Sequence, residues 1–335
     1  MSRPSVPAKE GQPRGITTAA LAWTTFAVNG IVILQGAVVR ATGSGAGCGR
    51  DWPRCQGEFL PLDHGLATWI EYSHRTLSGV ALLMGVWLLI RAFRLRKVNP
   101  GLLAWTVAST TFLGIEALIG AATVLTGLTG DNVSVARGLL VAFHLLNSLW
   151  LMGSLALAVH HAHADRPWPP GWYGRSGLGW LVGLGLLGMM VVMFSGGIAA
   201  MGNTMFPPAS LEAGLSEDFS AASHPLIRLR ILHPLLAIAV GIYLWAIHAV
   251  TGWLRPVPEA GPWRRLLLWA YAVQLVVGTV NLSLLGPIML QLTHLAVAVG
   301  VFCLWTLVAW IVLTAPGPVR TPAGLPWGSR EAVST

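Results

Sequence analysis

Long apolar stretches alternate with short polar segments along the whole chain. Eight of them reach about 20 residues with few charges, the length a helix needs to cross the hydrocarbon core of a bilayer. Their predicted bounds are 17–40, 66–91, 101–127, 136–160, 176–200, 226–250, 264–285 and 287–314. The first is longer than the core of a signal peptide and lacks a following small-residue cleavage site, so we interpret it as a spanning helix. The pattern predicts an all-α integral membrane protein with eight transmembrane helices.

The composition excludes a soluble globular protein. Hydrophobic residues make up 54% of the chain and charged residues only 10%, with a mean hydropathy of +0.64. With eight spans both termini fall on one side, which holds 14 of the 21 Lys and Arg residues. The positive-inside rule therefore predicts that both termini are cytoplasmic. The net charge of +8 then faces anionic membrane lipid, so no nucleic-acid partner is needed to explain it.

Two cysteines lie close together in the first predicted outer loop, Cys48-Gly-Arg-Asp-Trp-Pro-Arg-Cys55. Disulfides persist in the oxidising compartment outside the plasma membrane, and a short loop rich in glycine and proline closes easily. We therefore predict a disulfide between Cys48 and Cys55 on the outer face. Two free thiols are one alternative, and a metal site that includes His64 is another.

Four of the ten histidines lie inside predicted spans: His74, His144, His233 and His294. All four belong to even-numbered spans, which enter from the outer face, and the helical rise places each about 10 to 12 Å below that face. Ionisable groups at such depth are costly and mark functional sites. The segment Glu71-Tyr72-Ser73-His74-Arg75 adds a carboxylate on the same helical face as its histidine. The sequence thus predicts one layer of four buried imidazoles.

An internal repeat relates the two halves of the chain. His233 follows His74 by 159 positions, and His294 follows His144 by 150. Two neighbouring motifs keep a similar spacing: Gln35-Gly36 matches Ser195-Gly196, and the stretch from Glu116 to Gly120 matches that from Gln274 to Gly278. Since each half contains four spans, the copies are parallel. We predict two pseudo-symmetric four-helix bundles, 1–165 and 166–335, each with a pair of facing histidines.

Paired neutral imidazoles between apolar helices suit haem iron better than zinc. Zinc takes three or four protein ligands, and two histidines without a nearby cysteine or second carboxylate fall short of that number. Haem takes axial ligands along one line and places its flat apolar ring between helices. Two histidine pairs therefore predict two haem sites. Basic residues of the outer side are candidate partners for the haem propionates: Arg40, Arg75, Arg137, Arg228 and Arg230.

The two predicted sites differ in the residue three positions before the first histidine. Glu71 holds this place in the first half, and Arg230 holds it in the second. A carboxylate can act as an acid, a base or a cation stabiliser, whereas a guanidinium can only anchor an anion. We therefore expect a reactive haem in the first half and a resident haem in the second.

Together these motifs resemble the haem A synthase family, integral membrane enzymes that oxidise a methyl group of haem O to the formyl group of haem A. The resemblance covers essentially the whole span region. Its motifs are Gln35-Gly36, Arg40-Ala41-Thr42-Gly43-Ser44-Gly45, Cys48 with Asp51-Trp52-Pro53 and Cys55, Glu71-Tyr72-Ser73-His74-Arg75, His144, His233-Pro234 and His294. One departure is visible, because residues 202–228 lack the second cysteine pair that some members carry in this loop.

The resemblance implies a role for each site residue. His74 and His144 serve the substrate haem O, His233 and His294 hold a haem b cofactor, and Glu71 is essential to the chemistry. It also implies two successive oxidations of one methyl carbon, through an alcohol to a hydrated aldehyde that loses water, in the plasma membrane and for terminal oxidase assembly. The implied partners are haem O, membrane lipid, haem O synthase and an electron acceptor, and a homo-oligomer is left open.

Two other functions fit parts of this pattern. A di-haem b electron-transfer cytochrome would also use two bis-histidine sites, but it predicts two permanent haems and no need for Glu71. A transporter built on parallel repeats predicts no haem at all. Extraction and mass determination of the bound pigment separates the three functions.

Overall fold

The computed structural model describes residues 16–62, 64–163 and 177–315. The regular elements in these ranges are helices, and eight helical segments are long and apolar enough to cross a membrane. The helices are α1 Thr18–Ala41, α2 Leu66–Arg94, α3 Pro100–Leu125, α4 Val135–His163, α5 Gly177–Met205, α6 Leu211–Phe219, α7 Pro225–Arg228, α8 Leu232–Leu254, α9 Ala260–Ser283 and α10 Ile288–Thr314, and a 3-10 turn covers Ser44–Ala46. The structure confirms the predicted all-α, eight-span architecture of a multi-pass membrane protein.

The predicted bounds of the spans are close to those observed, with two differences. The sixth crossing consists of α7 and α8, separated by a short break at residues 229–231 that comes directly before His233. The loop before it contains the short helix α6, which the sequence analysis did not predict. Ser210 caps the start of this helix, because its side chain accepts a hydrogen bond from the backbone N–H of Ala213 at 3.1 Å. A polar helix of this length gives no apolar run that a search for spans would detect.

Local sequence also explains where the spans begin. The Thr17 hydroxyl accepts a hydrogen bond from the Ala20 N–H and caps α1. Asn99 caps α3 in the same way by accepting from the Leu102 N–H, and Pro100 takes the first helical position, where its missing N–H costs nothing.

Helices α4 and α10 form the centre of the fold. They are the most buried of the eight spans, and they contact each other as well as α1 and α5. Gly153 of α4 allows the close approach, because a Cβ built there would lie 3.0 Å from Cε1 of Phe302 on α10. The outer surface instead exposes large apolar side chains such as Leu83 and Trp269, which suit lipid. The two central helices carry His144 and His294.

Half of the basic residues behind the orientation prediction lie outside the described residues. They are Arg3, Lys9, Arg14, Arg166, Arg175, Arg320 and Arg330. The sidedness of the termini and the division into halves at 165 therefore stay predictions.

Candidate functional site

A disulfide closes the segment between α1 and α2, which we name the cysteine loop (residues 42–62). Cys48 and Cys55 are joined, as predicted, and both are fully buried. The loop packs on the connection between α3 and α4, where a Cβ built on Gly130 would lie 2.8 Å from the Cβ of Ala46. Gly130 also has a φ of +56°, which glycine adopts without strain. The disulfide-bonded loop therefore covers the end of the first four spans.

Polar side chains of α2 tie the cysteine loop to the bundle. Thr68 donates from its hydroxyl to the Gly47 carbonyl at 2.7 Å. The Cys48 N–H donates to Oε2 of Glu71 at 2.8 Å. Arg75 donates to the carbonyls of Asp51 and Arg54 at 2.6 and 2.8 Å. Four hydrogen bonds thus hold the loop above the helix that carries His74.

The Glu71 carboxylate is buried, with 3% of the residue exposed. Its Oε1 accepts from Nε and Nη2 of Arg75 at 3.1 and 2.5 Å, and its Oε2 accepts from the Cys48 N–H. A carboxylate offers about four lone-pair sites. One site on Oε2 is therefore left for a further hydrogen bond or a proton.

Each of the four predicted histidines packs against a glycine of the span that precedes it. A Cβ built on the glycine would approach Cε1 of the imidazole to less than 4 Å in every case. The distances are 3.1 Å for Gly36 and His74, 3.7 Å for Gly120 and His144, 2.9 Å for Gly196 and His233, and 2.8 Å for Gly278 and His294. A Cβ at Gly196 or Gly278 would force the imidazole to shift, a Cβ at Gly36 would be tight, and a Cβ at Gly120 would make an ordinary contact.

The second histidine pair is in edge-to-face contact. The ring centroids of His233 and His294 are 6.2 Å apart, and the ring planes are almost perpendicular. Nδ1 of His233 lies 3.1 Å from the Val192 carbonyl and 3.3 Å from the Ser195 hydroxyl, which leaves Nε2 for a ligand. Nε2 of His294 lies 3.1 Å from the side-chain nitrogen of Gln274.

The spacing of this pair is that expected of two imidazoles bound to one metal ion. A bond of about 2 Å between a metal and an imidazole nitrogen puts each ring centroid roughly 3 Å from the metal, so two axial imidazoles stand about 6 Å apart. The separation of His233 and His294 matches that value. The contact from His233 Nδ1 to a backbone carbonyl is the arrangement that commonly orients a metal-bound histidine.

The first histidine pair is more polar. His74 and His144 are close enough to interact electrostatically, and Nδ1 of His74 is buried without a hydrogen-bond partner among the described residues. Nε2 of His144 lies 3.5 Å from Oε2 of Glu116 on α3. The neighbouring Gln35 of α1 donates from its side-chain amide to the Ser73 hydroxyl at 2.7 Å. A carboxyl group next to an imidazole thus distinguishes this pair from the second.

The five candidate propionate partners have different surroundings. Arg75 and Arg230 are paired with carboxylates of the chain itself. Arg230 lies 2.8 Å from Asp218 and 3.4 Å from Glu217, so α6 neutralises its charge. Arg228 is exposed.

The other two arginines contact neutral oxygens. Arg137 is buried and donates to two backbone carbonyls, with Asp131 close enough to interact. Arg40 donates to the Ala200 carbonyl at 3.1 Å, the Thr204 hydroxyl at 2.5 Å and the Gln291 side chain at 2.7 Å. It therefore joins α1 to α5 and α10, and it also interacts electrostatically with Arg137.

Comparison with known proteins identifies the family. The family model described as COX15-CtaA, cytochrome oxidase assembly protein, matches residues 19–306. The chain belongs to this family.

Curated relatives of the chain carry two kinds of name. Proteins named protoheme IX farnesyltransferase from two strains of Thermus thermophilus are each 37% identical over 292 residues, which is 87% of this chain and 48% of the relative. This chain therefore spans about half the length of these relatives.

Proteins named haem A synthase match over shorter regions. The Staphylococcus saprophyticus protein is 45% identical over 98 residues, or 28% of this chain and 31% of the relative. A Bacillus cereus protein is 43% identical over 114 residues, or 34% and 37% of the two chains. These matches over part of the chain confirm its resemblance to haem A synthases.

The surroundings of Glu116 were not predicted from the sequence. This residue served only to align the two halves, although a carboxylate inside a span was itself a signal. The structure places Glu116 beside His144 and gives it two more polar neighbours, Asn147 and Ser148.

Proposed function

We propose that this chain is a haem A synthase, which oxidises a methyl group of haem O to the formyl group of haem A for assembly of a terminal oxidase. The observation that carries the proposal is the packing of four histidines on four glycines, with one pair at the spacing of axial haem ligands. Family membership and the relatives named haem A synthase support it.

In this proposal the two pairs have different tasks. His233 and His294 hold a resident haem b, which supplies one-electron redox chemistry when bound. His74 and His144 bind the substrate haem O under the cysteine loop. The tight contacts of Gly196 and Gly278 with the second pair support a permanent site. The first pair, with carboxyl groups at Glu71 and Glu116 nearby, supports a site for chemistry.

Glu71 is proposed as the group that takes a proton or stabilises positive charge at the reacting methyl carbon. Each of the two hydroxylation steps breaks one C–H bond of that carbon and forms one C–O bond to a water oxygen, while two electrons pass to the proposed electron acceptor and two protons are released. The hydrated aldehyde that results then loses one water. The lone-pair site left on Oε2 supports this role, because the carboxylate can accept one more proton without breaking its bonds to Cys48 and Arg75.

Arg40 is the favoured propionate partner among the five candidates. Among the described residues, the partly buried Arg40 guanidinium donates only to neutral oxygens and pairs with no carboxylate, whereas Arg75 and Arg230 each have a carboxylate partner. Arg40 also lies between the spans of the two halves. We therefore propose that it binds a haem carboxylate there.

Membrane placement follows the sequence prediction. We propose two parallel four-helix halves, 1–165 and 166–335, with both termini in the cytoplasm and the cysteine loop on the outer face of the plasma membrane. A stable disulfide at Cys48 and Cys55 supports an oxidising outer compartment.

A haem O synthase is the proposed partner, together with an electron acceptor. Two relatives are named for farnesyl transfer to protoheme IX, and this chain aligns with about half of their length. Farnesyl transfer to protohaem makes a farnesylated haem, which is the substrate class proposed for this chain. The alignment therefore supports close coupling of the two reactions.

The test is pigment analysis of the purified protein, expressed with a haem O synthase. Extracted haems are identified by mass. We expect haem b together with haem O, its alcohol or haem A. Two haem b groups and no substrate haem would instead indicate the di-haem cytochrome, and a colourless protein would indicate the transporter. His233→Ala and His294→Ala should lose haem b while the chain still inserts, and full retention would contradict the second site.

A further inference from the structure

Glu116 of α3 is the acceptor in a part-buried cluster of polar side chains. Asn147 donates to its Oε2 at 2.6 Å, and the Ser148 hydroxyl donates to its Oε1. Nε2 of His144 lies 3.5 Å from Oε2. Asn147 also donates to the Phe112 carbonyl at 2.9 Å, which fixes the amide and makes Oε2 an acceptor. These three side chains come from one face of α4.

The internal repeat shows that this cluster belongs to the first half only. Gln274 takes the place of Glu116 beside the second histidine pair. At the 150-residue offset of His144 and His294, Asn147 and Ser148 correspond to Val297 and Ala298. The first site therefore has three polar residues at positions where the second site has one polar and two apolar residues. Since buried polar groups are costly in a membrane, the difference indicates a specific task.

We infer that Glu116 is a positioning residue for His144, accepting a hydrogen bond from the imidazole so that His144 is held in one orientation as a ligand of the substrate haem. The inference rests on the proposed function of the first pair. Carboxylates that accept from the second nitrogen of a metal-bound histidine fix its tautomer and strengthen it as a ligand. Asn147 and Ser148 hold Glu116 in place for this contact.

The chemical consequence is a difference between the two haems. A carboxyl partner makes His144 a stronger electron donor than His294, whose partner is an amide. The haem at the first pair should therefore have the lower reduction potential, because its oxidised iron is better stabilised. A haem that is itself oxidised at its periphery benefits from such an electron-rich iron.

The test compares Glu116→Leu and Glu116→Gln with Gln274→Leu, the matched change at the other pair. Purified protein that retains haem b is titrated with haem O, and the electron paramagnetic resonance spectrum of each low-spin haem is recorded. Glu116→Leu should weaken haem O binding by about 10- to 100-fold and shift only the signal of the first site. Glu116→Gln should bind better than the leucine variant and raise the potential of that haem. Gln274→Leu should leave the first site unchanged.

Two results would overturn the inference. One is an unchanged first-site spectrum in the leucine variant, or in the glutamine variant if the leucine variant cannot be purified. The other is an equal shift of the first site in Gln274→Leu, which indicates general packing. Failure of the proposed function looks different, because it appears in the wild type as haem O that never binds or is never oxidised.

Discussion

The four glycines that face the histidines offer a graded test of the haem sites. Replacing Gly196 or Gly278 with alanine puts a Cβ at 2.9 or 2.8 Å from an imidazole carbon. Carbon atoms in favourable contact stand about 3.5 to 4.0 Å apart, so the imidazole must shift by about 0.6 Å or more. A free imidazole can move aside. An imidazole that also binds iron cannot, so the cost falls on haem binding rather than on folding.

The expected size of the effect follows from overpacking. Adding a methyl group to a filled site costs about 1 to 3 kcal/mol. At about 1.4 kcal/mol per factor of ten, haem b binding should weaken by about 5- to 150-fold. Gly36→Ala, at 3.1 Å, should weaken haem O binding less, and Gly120→Ala, at 3.7 Å, should have no effect because that contact is ordinary.

The assay is the ratio of haem b to protein after purification, measured by absorbance of the reduced pyridine complex. Gly183→Ala and Gly300→Ala are matched controls on α5 and α10, because a Cβ there meets no atom within 4 Å. Full haem b in Gly196→Ala and Gly278→Ala would refute the reasoning. So would an equal loss of haem b in the two controls.

Three further predictions concern the cysteine loop and the charged residues. Cys48 and Cys55 should yield two more titratable thiols after reduction, and reduction should lower haem A formation more than haem b content; an unchanged thiol count contradicts the disulfide. Glu71→Gln should keep haem b and bind haem O but form little haem A. The control Thr68→Val removes one hydrogen bond to the cysteine loop, worth about 1 kcal/mol, and should keep most of the activity. Equal losses of activity in the two variants would show that Glu71 acts only by holding the loop. Arg40→Gln should weaken haem binding more than Arg228→Gln, and equal affinities would exclude Arg40 as the propionate partner.

The sequence predicts the spans well because lipid imposes a single strong requirement. A helix must be apolar for about 20 residues to cross a bilayer, and this rule depends on composition rather than on contacts. The disulfide was also predictable, because Cys48 and Cys55 are only seven positions apart and a short loop keeps them close together. Hydropathy could not reveal the break before His233, because Leu229 and Ile231 within it are as apolar as the helix.

Pairings across the fold are harder to predict from sequence. The repeat identified which histidines correspond, but it could not show that Arg230 meets Asp218 and Glu217 of α6. The short polar helix that supplies these carboxylates has no periodic apolar signal. Glu116 was visible as a carboxylate within a span, yet its contact with His144 depends on how α3 packs on α4.

The central claim is tested most directly in a cell that makes haem O but no haem A. This chain is expressed there, and membrane haems are extracted and identified by mass. Haem A should appear with the wild-type chain. It should be absent with His74→Ala or His144→Ala, and these variants should still contain haem b. Haem O left entirely unconverted by a wild-type chain that carries its haem b would show that the chain is not a haem A synthase.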